Sequence, residues 1–276
     1  MIALVTDSNA QLPAELRERF EVRVVPLTVV VDGEDHLEGV DLDAGEFYER
    51  LTAGASVSTA APSPGLFAEV YAEAVESGAE AILSVHIGSN TSATVQSATL
   101  AARASSVPVE IVDTGTASFP IACCVWAAGI ALERGGDLEG AAAAARAVAG
   151  TVGNVFIVGA LDVARRGGRL ADGVEAGNAV PVLALDQGTM EVVGQAHDIE
   201  SAVDAMAAYV DRLATDGPMR VGVGHVGAQP IADALADRLG ARSDVTDLVR
   251  YEISPSVGAH TGFGTVGAVF FPDALI

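Results

Sequence analysis

The amino-acid sequence predicts an α/β protein of two domains. Residues 1–153 form an N-terminal Rossmann-like domain with a parallel sheet, and residues 154–276 form a C-terminal α+β domain with a largely antiparallel sheet. Three observations predict this. Short apolar runs alternate with helical patterns through the first half, which is the signature of β-α-β units. In the second half, apolar residues 180–185, the turn Asp186-Gln-Gly-Thr189 and residues 190–195 read as a hairpin, which requires antiparallel pairing. Half of the 276 residues are hydrophobic, enough for the cores of one large or two modest domains.

In chain order, residues 2–5 predict the first strand and 13–20 a helix, 81–87 a strand and 91–105 a helix, 109–112 a strand and 117–133 a helix. Between the first two units lies one long β-branched run, Val24-Val-Pro-Leu-Thr-Val-Val-Val31, whose internal Pro26 suggests an edge strand or a bulge. The stretch that follows holds Glu34, Asp35, Glu38, Asp41, Asp43, Glu46 and Glu49 and reads as a solvated loop, with Asp43 capping a helix over 44–52. Asp137 caps an alanine-rich helix running to Val148, and the strand at 155–158 opens the second domain. Helices at 200–214 and 231–239 and strands at 219–223, 249–253 and 266–271 complete it.

Charge and composition exclude several functions. The chain has 37 Asp plus Glu against 15 basic residues, a net charge of -22, and every basic residue is arginine. Without lysine there is no Schiff base and no Walker motif, so the chain has no ATP site of the G-x-x-x-x-G-K type. So acidic a chain opposes binding to nucleic acid and to anionic lipid surfaces. The adjacent Cys123 and Cys124 lie in an apolar segment and read as core filling in a reducing cytoplasm. That segment is too short to span a bilayer, and the N-terminus reads as a strand rather than a signal peptide.

Two G-x-G-x-x-G strings occur. Gly262-Phe-Gly-Thr-Val-Gly267 precedes a terminal strand and has no helix to hold a pyrophosphate, whereas Gly222-Val-Gly-His-Val-Gly227 lies between a strand and a helix. In the second, Gly222 and Gly224 face one side of the strand, which suggests the close approach of another backbone.

The segment Gly88-Ser-Asn-Thr-Ser-Ala-Thr94 is richer, because it places Ser89, Thr91, Ser92 and Thr94 ahead of a helix. It is either an anion site at a helix N-terminus or an N-cap with spare hydroxyls. Ser56-Val-Ser-Thr59 ahead of Ala60-Ala-Pro-Ser-Pro64 reads as a turn, and His260 stands in a glycine-rich loop where backbone can approach a ligand. His36, His86, His197 and His225 have no partner at metal-ligand spacing, and no metal is assigned.

Together these segments resemble the DegV family, the fatty-acid-binding subunits of bacterial fatty acid kinases. Thr6-Asp-Ser8 with Leu12-Pro13 resembles the family's opening T-D-S and L-P, and Pro26-Leu27 with Gly39-Val-Asp41 resembles the strand and acidic stretch that follow. Thr59-Ala-Ala-Pro-Ser63 is similar to T-S-Q-P-S, Ser92-Ala-Thr-Val-Gln-Ser97 to S-G-T-Y-Q-S, Arg166-Gly-Gly-Arg-Leu170 to K-G-G-R-I, and Gly258-Ala-His-Thr-Gly262 to G-x-H-T-G.

The resemblance implies a lipid-binding protein, not itself an enzyme, that buries a long-chain fatty acid and uses no cofactor. It presents the carboxylate to a separate kinase catalytic subunit, and the acyl phosphate passes to an acyltransferase of phospholipid synthesis. It implies that Thr59, Ser92, Ala93 and His260 hold the carboxylate, with Ser8, Ser89, Thr94, Thr261 and Arg169 as further contacts. No residue is assigned a catalytic role. A buried carboxylate must be hydrogen-bonded, and hydroxyls with a helix N-terminus can do this without lysine. A chain of about sixteen carbons supplies roughly 12 kcal/mol of burial before entropy costs.

The chain departs from the family pattern at Ala60, Ala61, Thr91, Ala93, Thr114 and His197. Two other readings stand beside this one. A serine hydrolase of acyl esters would use Ser89 or Ser92 with His260 and an Asp such as Asp7, although the G-x-S-x-G elbow is missing. A dinucleotide enzyme would use Gly222 to Gly227.

Overall fold

The computed structural model describes residues 1–166, 168, 179–186, 188–214 and 217–275. Its first half contains β1 (Ile2–Asp7), α1 (Ala14–Arg19), β2 (Arg23–Val25), β3 (Thr28–Val31), β4 (Glu34–Leu37), α2 (Ala44–Thr52), β5 (Val57–Ala60), α3 (Pro64–Glu76), β6 (Ala81–His86), α4 (Thr94–Ala102), β7 (Val109–Asp113), α5 (Phe119–Glu133) and α6 (Leu138–Ala149). The second contains β8 (Gly153–Ile157), α7 (Leu161–Arg166), β9 (Val180–Asp186), β10 (Thr189–Ala196), α8 (Ile199–Leu213), β11 (Met219–His225), α9 (Gln229–Gly240), β12 (Val245–Glu252), α10 (Pro255–Thr261) and β13 (Val266–Pro272).

The two-domain α/β class holds. Strands β2-β1-β6-β7 form a four-stranded parallel sheet, and β10-β9-β8-β13-β11-β12 form a six-stranded sheet in which only β11 and β12 run parallel. Asp43 and Asp137 cap α2 and α6 by accepting from the amides of Glu46 and Gly140. Helix α5 is apolar on every face because it is buried on every face. Its core joins Leu83, Val85 and Val112 of the parallel sheet to Val269 and Phe271 of β13. Cys123 and Cys124 are fully buried within it.

Six local expectations are corrected. The run 24–31 is two strands in two sheets: β2 ends at Val25, Pro26 and Leu27 make the crossing, and β3 starts a small antiparallel sheet ordered β4-β3-β5. Pro26 therefore separates strands instead of bulging one, consistent with its missing donor. The supposed turn at 56–59 supplies β5, and the first part of the acidic loop supplies β4. Glu38, read as solvated, is 5% exposed. His260 lies on helix α10 rather than in a loop, and α4 starts at Thr94, which leaves Thr91 and Ser92 in the loop before it.

Candidate functional site

An apolar-walled cavity of about 300 Å3 is lined from both halves of the chain: by the ends of β5 and β6, the start of α5, β8, the β9–β10 hairpin, β12, α10 and β13. Thr59, Ser92, Ala93 and His260 all line it, together with Thr261. Residues 59, 92 and 260 thus arrive from three elements.

Each is positioned by its own local structure. On β5, Val57 and Thr59 are half-buried while Ser58 and Ala60 are exposed, and Thr59 pairs with Val29 of β3. His260 sits in the last turn of α10, with Nε2 3.0 Å from the Thr59 hydroxyl oxygen. The approach to α10 is fixed by the Tyr48 hydroxyl, which donates to the carbonyls of Ile253 at 2.8 Å and Ser254 at 3.1 Å. Burial, with Glu38 and Glu252 nearby, pushes the Tyr48 phenol far above its ordinary pKa, so it stays a donor. The first turn of α10 is anchored by Glu38, whose Oε1 accepts from the Ser256 amide at 2.6 Å. The other carboxylate oxygen of Glu38 accepts from Ser8, and Ser8 in turn accepts from the Leu27 amide at 2.9 Å.

Ser92 lies in the loop 88–93. The amides of Thr91 and Ser92 donate to the Gly88 carbonyl at 2.9 and 3.0 Å, the Ser89 amide donates to Asp113, and the Gly88 amide donates to the Thr116 carbonyl. The Ser92 hydroxyl lies 2.8 Å from that of Thr94 and accepts from the Thr94 amide at 3.3 Å. Ala93 occupies the N-cap position of α4 and supplies no side-chain cap of its own. The positive end of the helix therefore meets the cavity beside Ser92. Over this loop rests the turn of the β9–β10 hairpin. Gly188 has φ +85, and a Cβ there would fall 2.7 Å from the Thr91 hydroxyl, so the close approach requires glycine.

Of the further expected contacts, Ser8, Ser89 and Thr94 do not line the cavity. Ser89 is exposed and Thr94 is buried beneath Ser92; Ser8 serves Glu38 instead. The Thr261 hydroxyl donates to the Val257 carbonyl at 3.2 Å. Arg169, and with it most of the Arg166-Gly-Gly-Arg-Leu170 motif, lies outside the described residues. Sequence reasoning missed Asn9, Ser118 and Ser256, which line the cavity, as well as the anchor Glu38.

The hydrolase reading loses Asp7 as its acid. Asp7 is fully buried and accepts from His86 Nδ1 and from the Ile87 amide, both at 3.0 Å, and His86 Nε2 continues to Ser84 at 2.6 Å and Ser84 to Tyr71 at 2.8 Å. This chain locks the ends of β1 and β6 and does not include His260. The dinucleotide reading loses its space. Phe119 and Tyr251 stack at 4.2 Å and lie flat on β11, where a Cβ at Gly222 or Gly224 would collide with the rings. The close approach inferred from those glycines is real, but it is made by aromatic rings rather than by backbone. Among the described residues no group of three or more His, Cys, Asp or Glu is placed to hold a metal, and no helix is long and apolar enough to cross a membrane.

Comparison with known proteins places the chain in a family. The family model described as "Uncharacterised protein, DegV family" matches residues 1–273. A DegV domain-containing protein of Streptomyces coelicolor is 37% identical over 97% of each chain. A solved structure described as fatty acid binding of a DegV family protein from Thermus thermophilus superposes with a TM-score of 0.91 at 33% identity, covering 98% of this chain and 99% of that one. Another, of DegV from Bacillus subtilis, described as a fatty acid binding protein, gives 0.87 at 26% identity over 98% of both. Matched from end to end in sequence and in fold, the chain belongs to the DegV family.

Proposed function

We propose that this protein binds a long-chain fatty acid, with the carboxylate at Thr59, Ser92 and His260 beside the Ala93 amide and the acyl chain in the cavity. The observation that carries the reading is the convergence of those side chains, from β5, the loop 88–93 and α10, at one apolar-walled cavity. Two hydroxyls and an imidazole supply hydrogen bonds to an anion, and the start of α4, whose N-cap residue Ala93 offers no side-chain cap, supplies the favourable field, so no lysine is needed. The Thermus and Bacillus relatives, described as fatty acid binding, support the same ligand class.

On this reading the chain is a carrier and not the catalyst. It presents the carboxylate to a separate kinase subunit that brings ATP, and the acyl phosphate goes on to a phospholipid acyltransferase. A boundary at 153/154 divides it into a domain carrying the hydroxyl residues and one carrying His260. Native mass spectrometry of protein purified from cells should show a mass increment equal to one fatty acid, and delipidated protein should rebind stearate. Adding ATP and a candidate kinase subunit should then yield acyl phosphate. A clean apo mass with no binding of added fatty acid would overturn the carrier reading, and binding without phosphorylation by any cognate kinase would overturn the presentation step.

A further inference from the structure

Hydrocarbon is a poor match for one wall of this cavity. Asn9, 4% exposed, and Ser256, 2% exposed, both line it, and the Asn9 amide nitrogen donates to the Ser256 oxygen at 3.1 Å. That bond uses one of the two Asn9 N–H groups and leaves the Ser256 hydroxyl hydrogen unengaged among the described residues. The Asn9 carbonyl oxygen accepts from the Ser118 amide at 2.8 Å and holds Ser118 at φ 66, ψ -155, a region that residues with a Cβ rarely enter. From there the Ser118 hydroxyl donates to Gln11 Oε1 at 3.3 Å. Gln11 is itself buried, and its Nε2 has no partner among the described residues. Strained backbone at Ser118 and two unspent donors, the second Asn9 N–H and the Ser256 hydroxyl hydrogen, thus meet in the wall.

We propose that Asn9, Ser118 and Ser256 form a second polar subsite that receives an oxygen atom borne on the acyl chain, so that the ligand class is hydroxylated or oxo long-chain fatty acids. The proposal rests on the fatty-acid reading of the cavity. Ser256 and His260 are four residues apart on α10 and share a face, with side chains about 6 Å from one another. The oxygen therefore belongs on a carbon near the carboxyl end of the chain. A plain methylene there leaves buried donors dry, whereas a hydroxyl or carbonyl oxygen accepts from them.

The test measures the affinities of delipidated full-length protein for stearate, a positional series of monohydroxystearates and the matching ketostearates. One positional isomer near the carboxyl end should bind about five- to tenfold tighter than stearate, as one added net hydrogen bond predicts. In Ser256→Ala that ratio should fall close to one. Asn9→Leu provides a second reading of the ratio, and melting temperatures show that each variant folds. Stearate bound as tightly as every oxygenated isomer would overturn the subsite while leaving the carrier reading intact. A preference that survives in both variants would also overturn it. Failure of all the acids to bind would remove the carrier reading and this one with it.

Discussion

His260 Nε2 lies 3.0 Å from the hydroxyl oxygen of Thr59, a residue 201 positions away in sequence, and the two meet at the wall of the cavity. The pair spans the small β4-β3-β5 sheet and helix α10, so its geometry depends on both being packed together. Thr59→Val keeps the shape of the strand and removes the hydroxyl, and His260→Leu removes the imidazole. Each should weaken binding of a long-chain fatty acid roughly ten- to a hundredfold, the range for one hydrogen bond to a charged group. Displacement of a fluorescent fatty acid measures this. Equal affinity in both variants would place the carboxylate elsewhere.

Glu38 should matter to stability more than its acidic neighbours do. Its carboxylate accepts from the Ser256 amide and the Ser8 hydroxyl, tying β4 to α10 and to the turn after β1. Glu38→Ala leaves the buried Ser256 amide and the half-buried Ser8 hydroxyl unpaired, at about 2–4 kcal/mol in total. The urea midpoint should fall with the m-value unchanged, and Glu38→Gln should recover part of the loss because its amide oxygen still accepts. Glu46→Ala, at an exposed position, should leave the midpoint near that of the parent.

Glu38 also shows where sequence reading stops. Alternating apolar runs revealed the parallel sheet, and Asp186-Gln-Gly-Thr189 revealed the hairpin, because periodicity and turn chemistry are local. Thr59, Ser92 and His260 were legible only through motif resemblance, since nothing local marks three residues from distant elements as neighbours. Glu38 sat in a run of acids that reads as surface, and only the arrival of Ser256, 218 residues on, buries it. Asn9 and Ser118 gave no signal, because a polar wall inside an apolar cavity is a tertiary fact. The two strand glycines signalled close approach but could not say that Phe119 and Tyr251 were the approaching groups.

Asn154 should govern how readily the cavity opens. Strands β8 and β9 pair at only one register position, Phe156 with Leu183, and beyond it the Asn154 side chain replaces the ladder. Its oxygen accepts from the Leu185 amide at 2.6 Å, and its nitrogen donates to the Leu185 carbonyl at 3.0 Å. Leu185, Gly188 and Met190 of the hairpin line the cavity. Asn154→Ala should speed hydrogen exchange at the Leu185 amide by about tenfold or more, as loss of hydrogen bonds worth about 1–2 kcal/mol predicts, and should speed fatty-acid exchange in parallel. Asn154→Asp keeps the acceptor and loses the donor, so it should fall between. Exchange rates equal to the parent's in Asn154→Ala would show that the hairpin is held by other contacts.

The adjacent thiols make stability fall with alkalinity. Burial raises the Cys123 thiol well above its ordinary value, with Cys124 adding repulsion, and burial pushes Cys124 up to about 12. Both therefore remain protonated in the folded chain at pH values where the unfolded chain has released their protons. Above about pH 9 the unfolded state binds fewer protons than the native state, which makes the slope of unfolding free energy with pH negative. The contribution is fully present below the unfolded pKa and is lost as pH rises through the window up to about 12, at up to about 1.4 kcal/mol per pH unit for each thiol. Cys124→Ala should flatten the decline of the urea midpoint between pH 9 and 11, even though removing the sulfur lowers the midpoint at pH 7. A thiol reagent at pH 8 should label the parent only as fast as the core opens, because neither sulfur is exposed and neither is a thiolate in the native state. Rapid labelling at that pH, with the far-UV spectrum intact, would show that α5 is not sealed between the two sheets.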